Sequence, residues 1–186
     1  MESILEAVNI LKKGGLILYP TDTIWGIGCD ATDEKAVEKV YALKQRSDSK
    51  ALVLLASDLD MVARYIKEIP QMALQLVEVN DAPMTIIYPG AMGLARNAIA
   101  EDGTVGIRIP LDGVCRDIVR RLGRPLVSTS ANISGQPSPE SYDDIAEEIK
   151  KGVDYIVDPS LESGDTGKAS QIIKVGLDGE VKIIRA

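Results

Sequence analysis

Ile4, Leu5, Val8 and Leu11 recur at helical spacing and are followed by Gly14-Gly15, so the chain opens with a helix that a glycine pair stops. A short apolar run at 16–19, closed by Pro20, reads as the first strand. Thr32 is in position to cap a second helix, with Asp33 and Glu34 in its positive first turn. Ala36, Val37, Val40, Tyr41 and Leu43 form its apolar face, and it ends near Lys44. A buried strand is predicted at 51–56, with Ser57 capping a helix that carries Leu59, Val62 and Ala63; Pro70 opens another over 71–79. Further strands are predicted at 84–88, 105–109, 126–129, 155–157, 171–175 and 181–184, and helices at 114–122 and 141–151.

Continuous apolar strands alternating with amphipathic helices predict an α/β fold, with helices packed on a mixed sheet. With 186 residues, 45% of them hydrophobic, one well-buried core is expected, so residues 1–186 are read as a single domain. No repeat, low-complexity segment or linker interrupts it. The stretch at 90–103 is the longest without a period and reads as a surface loop.

Composition narrows the chemistry. No apolar run approaches the roughly 20 residues that span a bilayer, and the N-terminus is not a basic region followed by an apolar one, which predicts a cytoplasmic protein without a membrane partner. The absence of histidine excludes His-based acid/base catalysis, and Cys29 and Cys115 lack metal-ligand spacing, so no metal held directly by protein ligands is expected. A disulfide between them is disfavoured in a cytosolic chain. The net charge of −7 argues against a sequence-independent grip on nucleic acid. Any phosphate chemistry must come from a local cluster of cations.

The standard phosphate loop is missing, and Gly26-Ile27-Gly28 lacks the third glycine and the strand-to-helix setting of a dinucleotide fingerprint. Four other segments put polar groups at the ends of apolar strands, where open α/β sheets form ligand crevices. They are the hydroxyl-rich turn at 19–26, the cations Lys44, Arg46 and Lys50, the sequence Gly106-Ile107-Arg108-Ile109-Pro110, and the run at 126–135 with its hydroxyls, Asn132 and Gly135. Each has a plain structural reading as well: a strand-ending turn, a helix cap, an edge-strand charge, and a turn whose side chains bond their own backbone.

Together these segments resemble the YrdC-like threonylcarbamoyl-AMP synthases over nearly the whole chain. The resemblance rests on Y-P-T-D-T before an aromatic and a glycine, K-x-R after the second helix, G-x-R-x-P, S-T-S-A-N-x-S-G, and Ser170 before a late apolar strand, in the family's order. It implies a twisted mixed sheet, parallel and antiparallel, flanked by helices around a cationic cavity. It also implies a reaction in which L-threonine and bicarbonate give a carbamate that attacks the α-phosphate of ATP, releasing pyrophosphate and threonylcarbamoyl-AMP. Mg²⁺ would accompany ATP, and a separate tRNA-modifying transferase complex would consume the product, with a weak direct contact to tRNA left open.

By motif position, the resemblance puts Thr23, Arg108, Ser128 and Ser170 on L-threonine, with Arg108 forking onto its carboxylate. It puts Arg46, Lys50, Thr104, Ser130, Ser138 and Arg185 on ATP, and gives Lys44, Arg46, Ser130 and Asn132 the catalytic K-x-R and S-x-N pairs. Departures from the pattern are Ser47 and Ala51 in place of prolines, Trp25 for tyrosine, Gln171 for threonine, and residues 80–85, which keep only Pro83 and Thr85 of W-P-G-P-L-T. Two rival readings stand beside the enzyme: a catalytically silent nucleotide- or RNA-binding relative, and a carbamoyl-adenylate chemistry with another amine or carbamoyl donor.

Overall fold

The computed structural model describes residues 1–46, 52–111, 113–162 and 169–186. Helix α1 (Glu2–Lys12) buries Ile4, Ala7, Val8 and Leu11 along one stripe. It stops where Gly14 takes the left-handed conformation at φ +82° and the N–H groups of Gly14 and Gly15 return to the carbonyls of Leu11 and Ile10.

Two cap assignments shift by one residue. Helix α2 (Glu34–Lys44) is capped by Asp33, whose carboxylate accepts from the N–H groups of Lys35 and Ala36, while the Thr32 hydroxyl donates to Asp30. Helix α3 (Leu59–Tyr65) is capped by Asp58, to which Ser57 donates. In both cases the carboxylate, the stronger acceptor, takes the exposed amides and leaves the neighbouring hydroxyl to act as a donor. The helix expected at 141–151 divides into a 3-10 turn, Tyr142–Asp144, and α6 (Glu147–Gly152), because Ala146 between them is extended. Helices α4 (Gln71–Val79) and α5 (Val114–Leu122) match their expected bounds.

The strands are β1 (Ile17–Tyr19), β2 (Gly26–Gly28), β3 (Val53–Leu55), β4 (Met84–Tyr88), β5 (Val105–Arg108), β6 (Leu126–Ser130), β7 (Tyr155–Ile156), β8 (Gln171–Val175) and β9 (Val181–Arg185). They form one mixed sheet in the order β7-β1-β2-β6-β3-β5-β4-β8-β9. Parallel pairs are β1/β7, β3/β5 and β4/β8; the other neighbours run antiparallel. The central strands are buried on both faces, with Leu54, Ile107 and Ile86 paired across β3, β5 and β4. Each such side chain contributes roughly 1.5–3 kcal/mol of apolar burial.

Strand β2 is absent from the sequence reading, since three residues with two glycines carry no apolar period. Its glycines have a packing reason: the buried ring of Tyr19 lies against Gly26 and Gly28, and its hydroxyl donates to the Val127 carbonyl on β6 at 3.0 Å. Cys29 and Cys115 are both buried as free thiols. No helix among the described residues is long and apolar enough to cross a membrane.

Candidate active site

Strand register sets the face on which the site forms. Gly26 pairs with Ser130, Ser128 with Val53, and Leu55, Arg108, Thr85 and Ile172 face one another in sequence across β3, β5, β4 and β8. Directly opposed residues share a face, as do residues two apart on one strand. Ser128, Ser130, Arg108, Thr85 and Ile172 therefore lie on the same side of the sheet. There a cavity of about 320 Å³ is lined by Thr23, Trp25, Arg46, Arg108, Ser128, Ser130, Ser138, Ser170 and Arg185, with Val53 and Ile172 among its apolar walls.

Arg108 is not an edge charge, because β5 is flanked by β3 and β4. The residue is only 3% exposed. A guanidinium in that position needs a partner, and Asp22 supplies it by accepting from Nη1. The other oxygen of Asp22 accepts from the Leu111 N–H at 3.1 Å. Thr23 is set beside this pair by Thr21, whose hydroxyl accepts from the N–H groups of Thr23 and Ile24; the Thr23 hydroxyl lies 3.5 Å from Arg108 Nη2.

The two cations of K-x-R diverge. Lys44 is the last residue of α2, and Gln45 turns left-handed at φ 53°, so that Arg46 leaves in a new direction toward the cavity. Lys44 is instead buried behind the cavity wall. Its ammonium donates to the carbonyls of Ser130 at 2.6 Å and Asn132 at 3.0 Å, with the side-chain oxygens of both residues at 3.4 Å. The backbone carbonyl of Lys44 also accepts from the Ser134 N–H. Burial, and then the Arg46 guanidinium, push the Lys44 ammonium down to about 8; the carbonyl acceptors favour the charged form and oppose that shift. Asn132 directs its amide into its own turn, donating to the carbonyls of Ile133 and Gln136.

On the β4 and β8 side of the cavity, the Ser170 hydroxyl lies 2.7 Å from that of the fully buried Thr85. The Ser170 carbonyl accepts from Arg185 Nε and Nη2 at 2.9 and 2.6 Å. Trp25 forms part of the wall, its ring tilted 50° on Tyr142 with centroids 5.1 Å apart.

Of the residues singled out in the sequence, Thr23, Arg46, Arg108, Ser128, Ser130, Ser138, Ser170 and Arg185 meet in this cavity, while Lys44 and Asn132 stand behind it. Thr104 does not line the cavity. Its hydroxyl and N–H both go to Asp102, an interaction that, with Lys174, holds the Asp102 carboxyl down at about 2. Lys50, Ser47 and Ala51 lie outside the described residues. Asp22 and Thr85 were within quoted motifs but had no role assigned, since their partners are 86 and 85 positions away. A second, more open depression of about 930 Å³ shares Arg46 and mixes the carboxylates Asp30, Asp33, Glu34 and Glu38 with the cations Lys35 and Arg124. It lacks the convergent hydroxyls of the smaller one.

The fold and cavity define an α/β protein with guanidinium and hydroxyl groups gathered on one sheet face, a donor set suited to carboxylate and phosphate oxygens. The chain belongs to the Sua5/YciO/YrdC family, described under telomere recombination, which matches residues 9–186. Threonylcarbamoyl-AMP synthase of Idiomarina loihiensis is 32% identical over 171 residues, covering 90% of this chain and 91% of that protein. The enzyme of the same name from Pseudoalteromonas translucida is 29% identical over 96% of both chains. Among solved structures, E. coli YciO superposes with a TM-score of 0.85 at 27% identity, covering 99% of this chain and 88% of that one. P. abyssi Sua5 complexed with L-threonine gives 0.84 at 29% identity over 92% of this chain; the chain spans half the length of that protein.

Proposed function

We propose that this chain is an L-threonylcarbamoyladenylate synthase, forming threonylcarbamoyl-AMP and pyrophosphate from L-threonine, bicarbonate and ATP. The observation that carries the reading is the meeting of Thr23, Arg108, Ser128 and Ser170 with Arg46, Ser130, Ser138 and Arg185 in one cavity. Relatives named for this activity align with the chain almost end to end.

In this reading Arg108 receives the threonine carboxylate, and the hydroxyls of Thr23, Ser128 and Ser170 orient the rest of the amino acid. Bicarbonate condenses with the amino group, forming the carbamate N–C bond with loss of water. A carbamate oxygen then attacks the α-phosphorus, and the bond to pyrophosphate breaks. Bringing these anions together is opposed by repulsion that clustered cations offset. Arg46 and Arg185 supply such charge on the nucleotide side. Lys44 and Asn132 hold the turn that aims the Ser130 hydroxyl. Mg²⁺ would enter with the triphosphate, whose oxygens are suitable ligands for a hard cation. The product passes to a tRNA-modifying transferase complex in the cytoplasm, where the acidic charge of −7 makes any direct contact with tRNA weak.

The test is pyrophosphate release from ATP by the purified chain. It should require both L-threonine and bicarbonate, and R108A should raise the KM for L-threonine by at least about ten-fold through loss of the directed guanidinium–carboxylate contact. Release that ignores L-threonine, or is stimulated equally by unrelated amino acids, would sink the reading.

A further inference from the structure

Two of the guanidinium groups that line the cavity are compensated differently. Arg108 is paired with a carboxylate, Asp22, so the pair carries no net charge. Arg185 donates to a neutral carbonyl, that of Ser170, and has no carboxylate partner among the described residues. Both line the same cavity, so the difference is one of partners and not of location.

Asp22 reaches Arg108 from far across the sheet. It lies in the connection between β1 and β2, and strands β6 and β3 separate β2 from β5. One carboxylate oxygen accepts from Arg108 Nη1 and the other from the Leu111 N–H, so the carboxylate is fixed from two sides and is only 10% exposed. Cys115, in the first turn of α5, is close enough for the Asp22 charge to add to the burial that pushes its thiol up to about 11. Nη1 is taken by Asp22, while Nη2 makes only a long 3.5 Å contact with the hydroxyl of Thr23, a residue of the cavity lining.

We propose that Asp22 is a positioning and selectivity residue that sorts the two anionic substrates: by orienting Arg108 and cancelling its charge, it makes the Arg108 position accept a single carboxylate and refuse a phosphate. This rests on the functional reading above, in which Arg108 receives the amino acid. The physical basis is that a neutral ion pair whose guanidinium lines the cavity still gives directed hydrogen bonds, which a carboxylate can use. It lacks the net field that makes a multiply charged phosphate or pyrophosphate preferable. Arg185, with no carboxylate partner among the described residues, leaves its part of the cavity attractive to polyphosphate. An arginine without a carboxylate partner at both positions would let the released pyrophosphate compete for the amino-acid site.

The experiment uses the full chain and equilibrium binding of L-threonine, with inorganic phosphate or pyrophosphate as competitor. In the wild-type chain neither anion should displace L-threonine. The isosteric D22N keeps an acceptor for Leu111 and removes only the charge. It should lower the preference for L-threonine over pyrophosphate by about ten-fold or more and make pyrophosphate competitive with L-threonine. D22E, which keeps the charge, should recover most of the preference. Direct competition by phosphate in the wild-type chain would overturn the proposal without any variant. So would an unchanged preference in D22N, or equal loss in D22N and D22E, which would reduce Asp22 to a packing constraint. Failure of the wild-type chain to bind L-threonine would instead remove the functional reading and this proposal with it.

Discussion

The ammonium of Lys44 lies 2.6 Å from the carbonyl oxygen of Ser130 and 3.0 Å from that of Asn132, so the last residue of α2 holds the turn that follows β6. A cation caged by backbone carbonyls shapes that turn much as a bound metal ion would. The consequence is a division of labour within K-x-R, with Lys44 organising the wall and Arg46 facing the cavity.

Replacing Lys44 with Met keeps the apolar stem and removes the cage. Charged hydrogen bonds of this kind are worth about 1.5–3 kcal/mol each, and relief of ammonium burial offsets part of the loss. Denaturant unfolding should therefore show a change of no more than about 2 kcal/mol. Pyrophosphate release should fall at least about hundred-fold because the Ser130 hydroxyl is no longer aimed. Near-normal release by K44M would contradict the positioning role.

The same residue sets a pH dependence. Lys44 titrates near 8 in the folded chain against an ordinary value of 10.5, so between those values the unfolded chain binds the additional proton. The penalty for burying the charge is present in full below pH 8 and is relieved as pH rises, so this group makes the fold more stable with increasing pH through the window. Urea melts from pH 8 to 10 should show wild type gaining stability relative to K44M. A flat difference would place the folded-state titration elsewhere.

Thr85 to Val tests the orientation of Ser170. The swap preserves shape at a fully buried site and removes the hydroxyl 2.7 Å from Ser170 Oγ. A stability loss of about 1 kcal/mol is expected from the missing bond. The KM for L-threonine should rise several-fold while kcat changes less, as initial rates would report. Unchanged KM would mean that Ser170 is oriented without Thr85.

Gly28 to Ala tests the packing under the site. The new methyl would stand 2.6 Å from Cε1 of Tyr19 and 2.9 Å from the Val127 carbonyl oxygen, and Tyr19 is fully buried and bonded to that same carbonyl. Overpacking there should lower stability by about 1–3 kcal/mol, read as a reduced thermal midpoint. A midpoint equal to wild type would show that β1 and β2 separate more easily than their burial suggests.

The sequence alone determined the α/β class, the bounds of α4, α5, β4 and β8, and which motifs carry the polar groups of the cavity, because apolar period and turn chemistry are local properties of the chain. It also located Arg108 as an anomaly, since an arginine between two isoleucines needs an explanation wherever the strand goes. Tertiary structure decided the rest. Strand β2 exists through pairing with β1 and β6, not through any period of its own. Thr104 has the residue type the family pattern favours, yet its hydroxyl is claimed by Asp102. The left-handed turn at Gln45 sends Lys44 and Arg46 to different sides of one wall, which no spacing rule for a non-glycine residue would indicate. Charge compensation was equally hidden: that Arg108 meets a carboxylate and Arg185, among the described residues, a neutral carbonyl depends on partners 86 and 15 residues away, brought together by a nine-stranded order that local propensity does not encode.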